Sequence, residues 1–123
     1  MDIQENQSRD RCIITHYTTN SITIDEHTYQ ESLLVRADHC ETLTTKNLAD
    51  ITTELLSHAI EKAPEIMLFG TGTTAKPLPP TILDFLGQKQ LPFEYMRTES
   101  AIRTFNTLVH DGRKVTAILL QES

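Results

Sequence analysis

The sequence predicts an α/β fold, with antiparallel hairpins in the N-terminal part followed by strand–helix–strand–helix–strand around a mixed sheet. Three observations predict it. Ile66-Met67-Leu68-Phe69 is apolar without alternation, as in a strand buried on both faces, and it ends at Gly70. Leu48, Ile51, Leu55, Ala59 and Ala63, just before it, recur at the spacing of an amphipathic helix. Further upstream, short β-rich segments such as Ser21-Ile22-Thr23-Ile24 place Ile22 and Ile24 on one face and Thr23 on the other.

The 123 residues suffice for one domain with a sizeable core, and residues 12–123 are expected to form it. Residues 1–11 carry five charges and little apolar surface, so they are expected to be a disordered tail. Two β-rich segments follow, Ile13–Tyr17 and Ser21–Ile24, then a third from Thr28 to Val35. Thr18-Thr19-Asn20 and Asp25-Glu26-His27 connect them as hairpin turns, which predicts an antiparallel meander. The first helix should begin near Asn47, capped by Thr45 or Asn47, and stop within a residue or two of Pro64.

After the Ile66–Phe69 strand, Pro77, Pro79 and Pro80 stiffen an elbow. Thr81–Leu86 reads as a short helix with Gly87 as a left-handed C-terminal cap. Pro92–Met96 is the next strand. Thr98 is expected to cap a third helix from Glu99 to about His110, with Ala101, Phe105 and Leu108 inward. Val115–Leu120 is the last strand. Right-handed crossovers make the three later strands parallel.

Composition excludes several function classes. The net charge of −6 is concentrated in residues 1–65, where twelve acids face five bases, whereas residues 66–123 hold five acids and six bases. That balance argues against nucleic-acid binding, which needs a basic footprint. No apolar run approaches the ~20 residues that cross a bilayer. The N-terminus has neither a secretory nor a transit signature, so a cytoplasmic location is expected. Cys12 and Cys40, the only two cysteines, are expected to be free thiols. The five histidines reproduce no ligand spacing, and no metal or cofactor is expected.

Gly70-Thr71-Gly72-Thr73-Thr74-Ala75 formally matches the dinucleotide pattern G-x-G-x-x-G/A, and Glu94 stands 22 positions after Gly72 where a ribose-binding acid would be. The pattern requires a helix opening on those glycines to face pyrophosphate, and the prolines postpone it. A phosphate-binding P-loop is excluded because Lys76 follows Ala75 and precedes Pro77. The loop still leaves the C-terminal end of a parallel strand, where α/β proteins place ligands. Gly70, Thr71, Gly72, Thr73, Arg97 and Thr98 are therefore candidate binding residues, with a small anion at the glycine loop as one ligand. Arg103 and Asn106, at i and i+3 on the third helix, join them on one face. Arg113 should emerge at the opposite end, because the intervening helix is about 16 Å long. No catalytic constellation stands out.

Ile66–Gly72, Phe93–Thr98, Ala101–Leu108 and Asp111–Ala117 form an ordered set of blocks, with Ile24–Tyr29 fitting more loosely. Over roughly residues 13–121 the chain resembles a family of small α/β domains. That family includes mitochondrial complex I assembly factor 3, an adipogenesis-associated vertebrate protein and many prokaryotic proteins. The resemblance implies a three-layer fold with a mixed central sheet and a non-catalytic assembly or protein-interaction role through a protein partner. The alternative is a small-molecule or anion-binding protein, or an enzyme, using the Gly70–Lys76 loop.

Overall fold

The computed structural model describes residues 12–121 and the backbone of residues 6–8. Its strands begin with β1 (Asn6–Ser8), β2 (Ile14–Thr18), β3 (Ser21–Ile24), β4 (His27–Tyr29), β5 (Ser32–Arg36) and β6 (His39–Leu43). A 3-10 turn (Leu48–Asp50) and helix α1 (Thr53–Ala59) follow. The chain continues through β7 (Ile66–Gly70), α2 (Pro80–Gln88), β8 (Phe93–Met96), α3 (Thr98–His110) and β9 (Val115–Leu119). Apart from Asn6–Ser8, the expected tail lies outside the described residues.

Apolar runs at the centre of a sheet need cover on both faces, and the strands carrying such runs occupy that centre. The six-stranded sheet has the order β1-β6-β5-β9-β7-β8. β7 pairs in parallel with β8 on one side and β9 on the other. β9 pairs antiparallel with β5, which makes the sheet mixed as expected. Strands β2, β3 and β4 form the expected antiparallel meander, as a separate three-stranded sheet.

Alternate residues of the central strands divide the core in two. Leu33, Val35, Leu68, Ala117 and Leu119 face α3 and the meander, packing with Phe105, Ile102, Ile22, Ile24 and Tyr29. Leu34, Met67, Phe69, Ile118 and Leu120 face the other way, against Leu56 of α1, Ile82 and Leu86 of α2, and Leu78. The result is three layers. Each buried leucine or isoleucine contributes about 1.5–3 kcal/mol relative to exposure, so both covers are needed.

Local expectations are corrected in five places. Thr28–Val35 is two strands in different sheets rather than one. β6 goes unmarked in the sequence because only Cys40 in it is fully buried. The helical stripe from Asn47 breaks at extended Ile51, and α1 starts afresh where the Thr52 hydroxyl accepts from the Leu55 N–H. A side chain that bonds its own backbone at an N-cap favours a new helix start over a continuous helix. α2 runs through Gly87, and the left-handed residue beyond it is Gln90, φ 54°. Thr98 is the first residue of α3 rather than its cap; the cap position is Arg97, with no side-chain cap bond.

Candidate functional site

The glycine loop and the start of α3 are built as one unit. Thr71 donates its N–H to the Met96 carbonyl at 2.9 Å, which carries the β7–β8 pairing into the loop. Its hydroxyl donates to the Thr74 carbonyl at 2.6 Å and accepts from the Lys76 N–H at 3.1 Å, closing the turn on itself. Gly72 adopts φ 106°, the positive angle expected where the chain turns sharply off a buried strand. Gly70 serves a different need, since a Cβ there would lie 2.9 Å from Thr98 Cα and 3.1 Å from Leu119 Cδ2. Only a residue without a side chain lets α3 approach β7 this closely.

Thr98 is fully buried and ties three segments. Its N–H donates to the Gly72 carbonyl at 2.8 Å, its Oγ1 accepts from the Gly72 N–H at 2.9 Å, and its hydroxyl donates to the Leu120 carbonyl at 2.7 Å. The Leu120 N–H in turn donates to the Gly70 carbonyl at 2.9 Å. The first N–H of α3 is therefore occupied by the protein's own backbone. The helix that follows the glycines in sequence begins only at Pro80, so its N-terminus does not open on Gly70 or Gly72. Glu94 is exposed on β8.

The structure thus brings Gly70, Thr71, Gly72 and Thr98 together in the interior, with Thr73 and Arg97 exposed beside them. Arg97 lies 3.6 Å and Arg103 3.3 Å from the Glu99 carboxylate, so both belong to one exposed charged strip. Asn106 lines a shallow cleft with Glu99 and Arg103 but is itself tied to β2. Its Nδ2 donates to the Ile14 carbonyl at 2.8 Å and its Oδ1 accepts from the Ile14 N–H at 3.2 Å, fastening α3 to β2. Arg113 is at the opposite end, as its distance along α3 requires, with its Nε 3.0 Å from Glu65 Oε1. The Lys114 N–H and the Arg113 guanidinium hold the Glu65 carboxyl below its ordinary range.

Two groupings do not figure among the residues singled out from the sequence. Glu41 Oε1 lies 3.0 Å from His39 Nε2 and 2.8 Å from His58 Nε2, joining β6 to α1. Burial raises the Glu41 carboxyl, but hydrogen bonds from His58 and His39 outweigh it and hold the group below its ordinary value. Among the described residues, no cluster of three histidine, cysteine or acidic side chains could hold a metal ion. The second grouping is a basic cleft around Arg36, whose signal was a cation directly following the apolar run Leu33-Leu34-Val35.

The sequence model of the family described as "protein of unknown function (DUF498/DUF598)" matches residues 14–120. The chain belongs to this family. A relative by sequence is the NADH dehydrogenase [ubiquinone] 1 alpha subcomplex assembly factor 3 of Xenopus tropicalis, 41% identical over 73 residues. That match covers 58% of this chain and 40% of the relative, so the chain spans well under two thirds of that protein. The 13 kDa major membrane protein of Francisella tularensis is 24% identical over 98% of this chain and 99% of its own. A crystal structure of a Bordetella parapertussis protein superposes with a TM-score of 0.83 at 29% identity, covering 91% of this chain and 97% of that one. The three-layer arrangement with its mixed sheet is thus shared with that solved structure.

Proposed function

We propose that this chain is a non-catalytic protein-interaction factor that engages an extended polypeptide at the end of the sheet carrying the glycine loop. The observation that carries the reading is β8. It is the outermost strand beside β7 and displays Tyr95, 42% exposed, which with Leu83 on α2 is one of two exposed large hydrophobic side chains among the described residues. An outermost strand offers backbone N–H and C=O groups that an extended partner segment can pair with, while side chains such as Tyr95 supply apolar contact. Arg97 and Thr73 border the same end of the strand.

Two further considerations support this reading. The buried hydroxyls of Thr71 and Thr98 are engaged with backbone groups, which suits a rigid scaffold better than acid–base chemistry. Relatives carry the name of an assembly factor, a role that works through other polypeptides. No described helix is long and apolar enough to cross a membrane. We place the chain in the cytoplasm, which cell fractionation checks.

Cross-linking of the tagged chain in its native cells, followed by mass spectrometry, tests the proposal. One polypeptide should be captured by the wild-type chain through β8 and lost from a Tyr95→Lys variant of unchanged thermal stability. Capture that ignores this substitution sinks the β8 surface. Calorimetric titration with nicotinamide and flavin dinucleotides should show no saturable binding. Micromolar binding abolished by Gly72→Val would replace the scaffold reading with a ligand-binding one.

A further inference from the structure

At the end of the sheet opposite the glycine loop, a cleft of about 580 Å³ opens where β5 ends and where β7 and β9 begin. Arg36 and Thr116 stand directly opposite each other across β5 and β9. The Arg36 Nε and Nη1 atoms are buried and have no hydrogen-bond partner among the described residues. The Thr116 side chain is 0% exposed, and its Oγ1 also has no partner. Buried polar groups are nearly always satisfied, and an unpaired buried cation is more costly than an unpaired amide. Two such groups side by side, both lining one cleft, describe a polar contact that the described chain leaves incomplete.

The surroundings give its chemistry. Lys62, Lys114 and Arg113 also line the cleft, against one acid, Asp38. Arg113 is already paired with Glu65, but the remaining excess is positive in a chain whose net charge is −6. Charge of one sign in a concave site concentrates the opposite ion. Val109 and Val115 supply an apolar wall, and the volume falls in the usual range for small-molecule sites. We infer that this cleft is a binding site for a small organic anion, a carboxylate or phosphate group on an apolar body, held by Arg36 and Thr116. The site is separated from the glycine loop by the length of α3, about 20 Å for 13 residues. It therefore stands or falls independently of the proposed partner surface.

Titration calorimetry of the full chain with octanoate, phenyl phosphate and inorganic phosphate tests this inference. At least one organic probe should bind saturably and about tenfold more tightly than inorganic phosphate, and which one binds identifies the acidic group. Arg36→Gln should weaken that binding about tenfold or more by removing the guanidinium charge, and Thr116→Val severalfold by removing one uncharged hydroxyl donor. Because Arg36 is partly buried and its replacement can unsettle the fold, Lys114→Gln on the exposed rim gives a second reading. It should weaken binding severalfold, while Lys89→Gln at the end of α2 leaves it unchanged. Absence of saturable binding for all three probes up to about 10 mM overturns the site, as does binding indifferent to both Arg36→Gln and Lys114→Gln. Inorganic phosphate binding as tightly as phenyl phosphate overturns the apolar-body part.

Discussion

Gly72 and Thr98 exchange two hydrogen bonds, the Gly72 N–H to Thr98 Oγ1 at 2.9 Å and the Thr98 N–H to the Gly72 carbonyl at 2.8 Å. The pair joins residues 26 positions apart and closes the N-terminus of α3 against the loop after β7. A threonine side chain here acts as a backbone connector, because its single hydroxyl both accepts from Gly72 and donates to Leu120.

Thr98→Val preserves shape while removing that hydroxyl, leaving the Gly72 N–H and Leu120 carbonyl without this partner in a buried site. The expected loss is roughly 2–4 kcal/mol, one to two kcal/mol for each stranded group. Thr98→Ser keeps both bonds and should lose only about 1 kcal/mol for the missing methyl. Urea unfolding of the two variants measures the difference. A Thr98→Ser loss as large as or larger than that of Thr98→Val would contradict the dominant role assigned to the hydroxyl.

Substitution of the two loop glycines should destabilise by different mechanisms. At Gly70 a Cβ meets the Thr98 backbone at 2.9 Å, so Gly70→Ala overpacks the β7–α3 contact and should cost about 1–3 kcal/mol. At Gly72 the cost is the φ of 106°, about 1–3 kcal/mol for a residue with a side chain. Thr98→Ala keeps the Thr98 Cα but removes the Oγ1 that would lie 3.0 Å from the Cβ added at Gly70, so the double variant Gly70→Ala/Thr98→Ala should be somewhat less unstable than the two single losses added together. A double-mutant cycle with Gly72→Ala should show weaker relief, since backbone strain does not depend on space. Strict additivity in the Gly70 cycle would assign the overpacking to the Thr98 Cα and Leu119 and none of it to the Thr98 hydroxyl.

Acid should expose the contribution of Glu41. Its carboxyl is held below the ordinary value in the folded state, so the unfolded chain binds the proton more readily. The resulting stability is fully present above the unfolded carboxylate pKa and disappears as pH falls through the lower, folded value. Glu41→Gln should therefore be less stable than wild type by about 1–2 kcal/mol near neutral pH, with the gap narrowing as pH falls below the ordinary carboxylate range. Unfolding free energies across that window measure it, and a gap that widens in acid would contradict the assigned direction.

Cys12 and Cys40 are both free thiols and fully buried. A thiol reagent should find two equivalents per chain under denaturing, non-reducing conditions. In the native protein the same reagent should react slowly, at a rate set by opening of the core. Finding no thiols after unfolding would establish an oxidised pair and refute this.

The parts of the fold legible in the sequence are those in which a local pattern is itself the physical requirement. Ile66–Phe69 and Ala117–Leu120 are apolar at successive positions because both faces are covered, and that need is written in the run itself. A positive φ at one of Gly70 and Gly72 could be expected because leaving a buried strand for an elbow demands such a turn, and Gly72 takes it. Position along α3 was enough to separate Arg113 from the glycine loop. Tertiary structure alone decided what depends on register between distant segments. β6 is a strand because β5 pairs with it, not because its half-buried residues alternate. Asn106 was expected among the binding residues, yet it fastens Ile14, 92 positions away. Arg36 meets Thr116 only because β5 runs antiparallel to β9 in one register, and a shift of one residue would turn the pair to opposite faces. Hydrogen-bond partners are chosen by which strands lie side by side, and that choice is made by burial of the whole sheet rather than by any residue's neighbours in sequence.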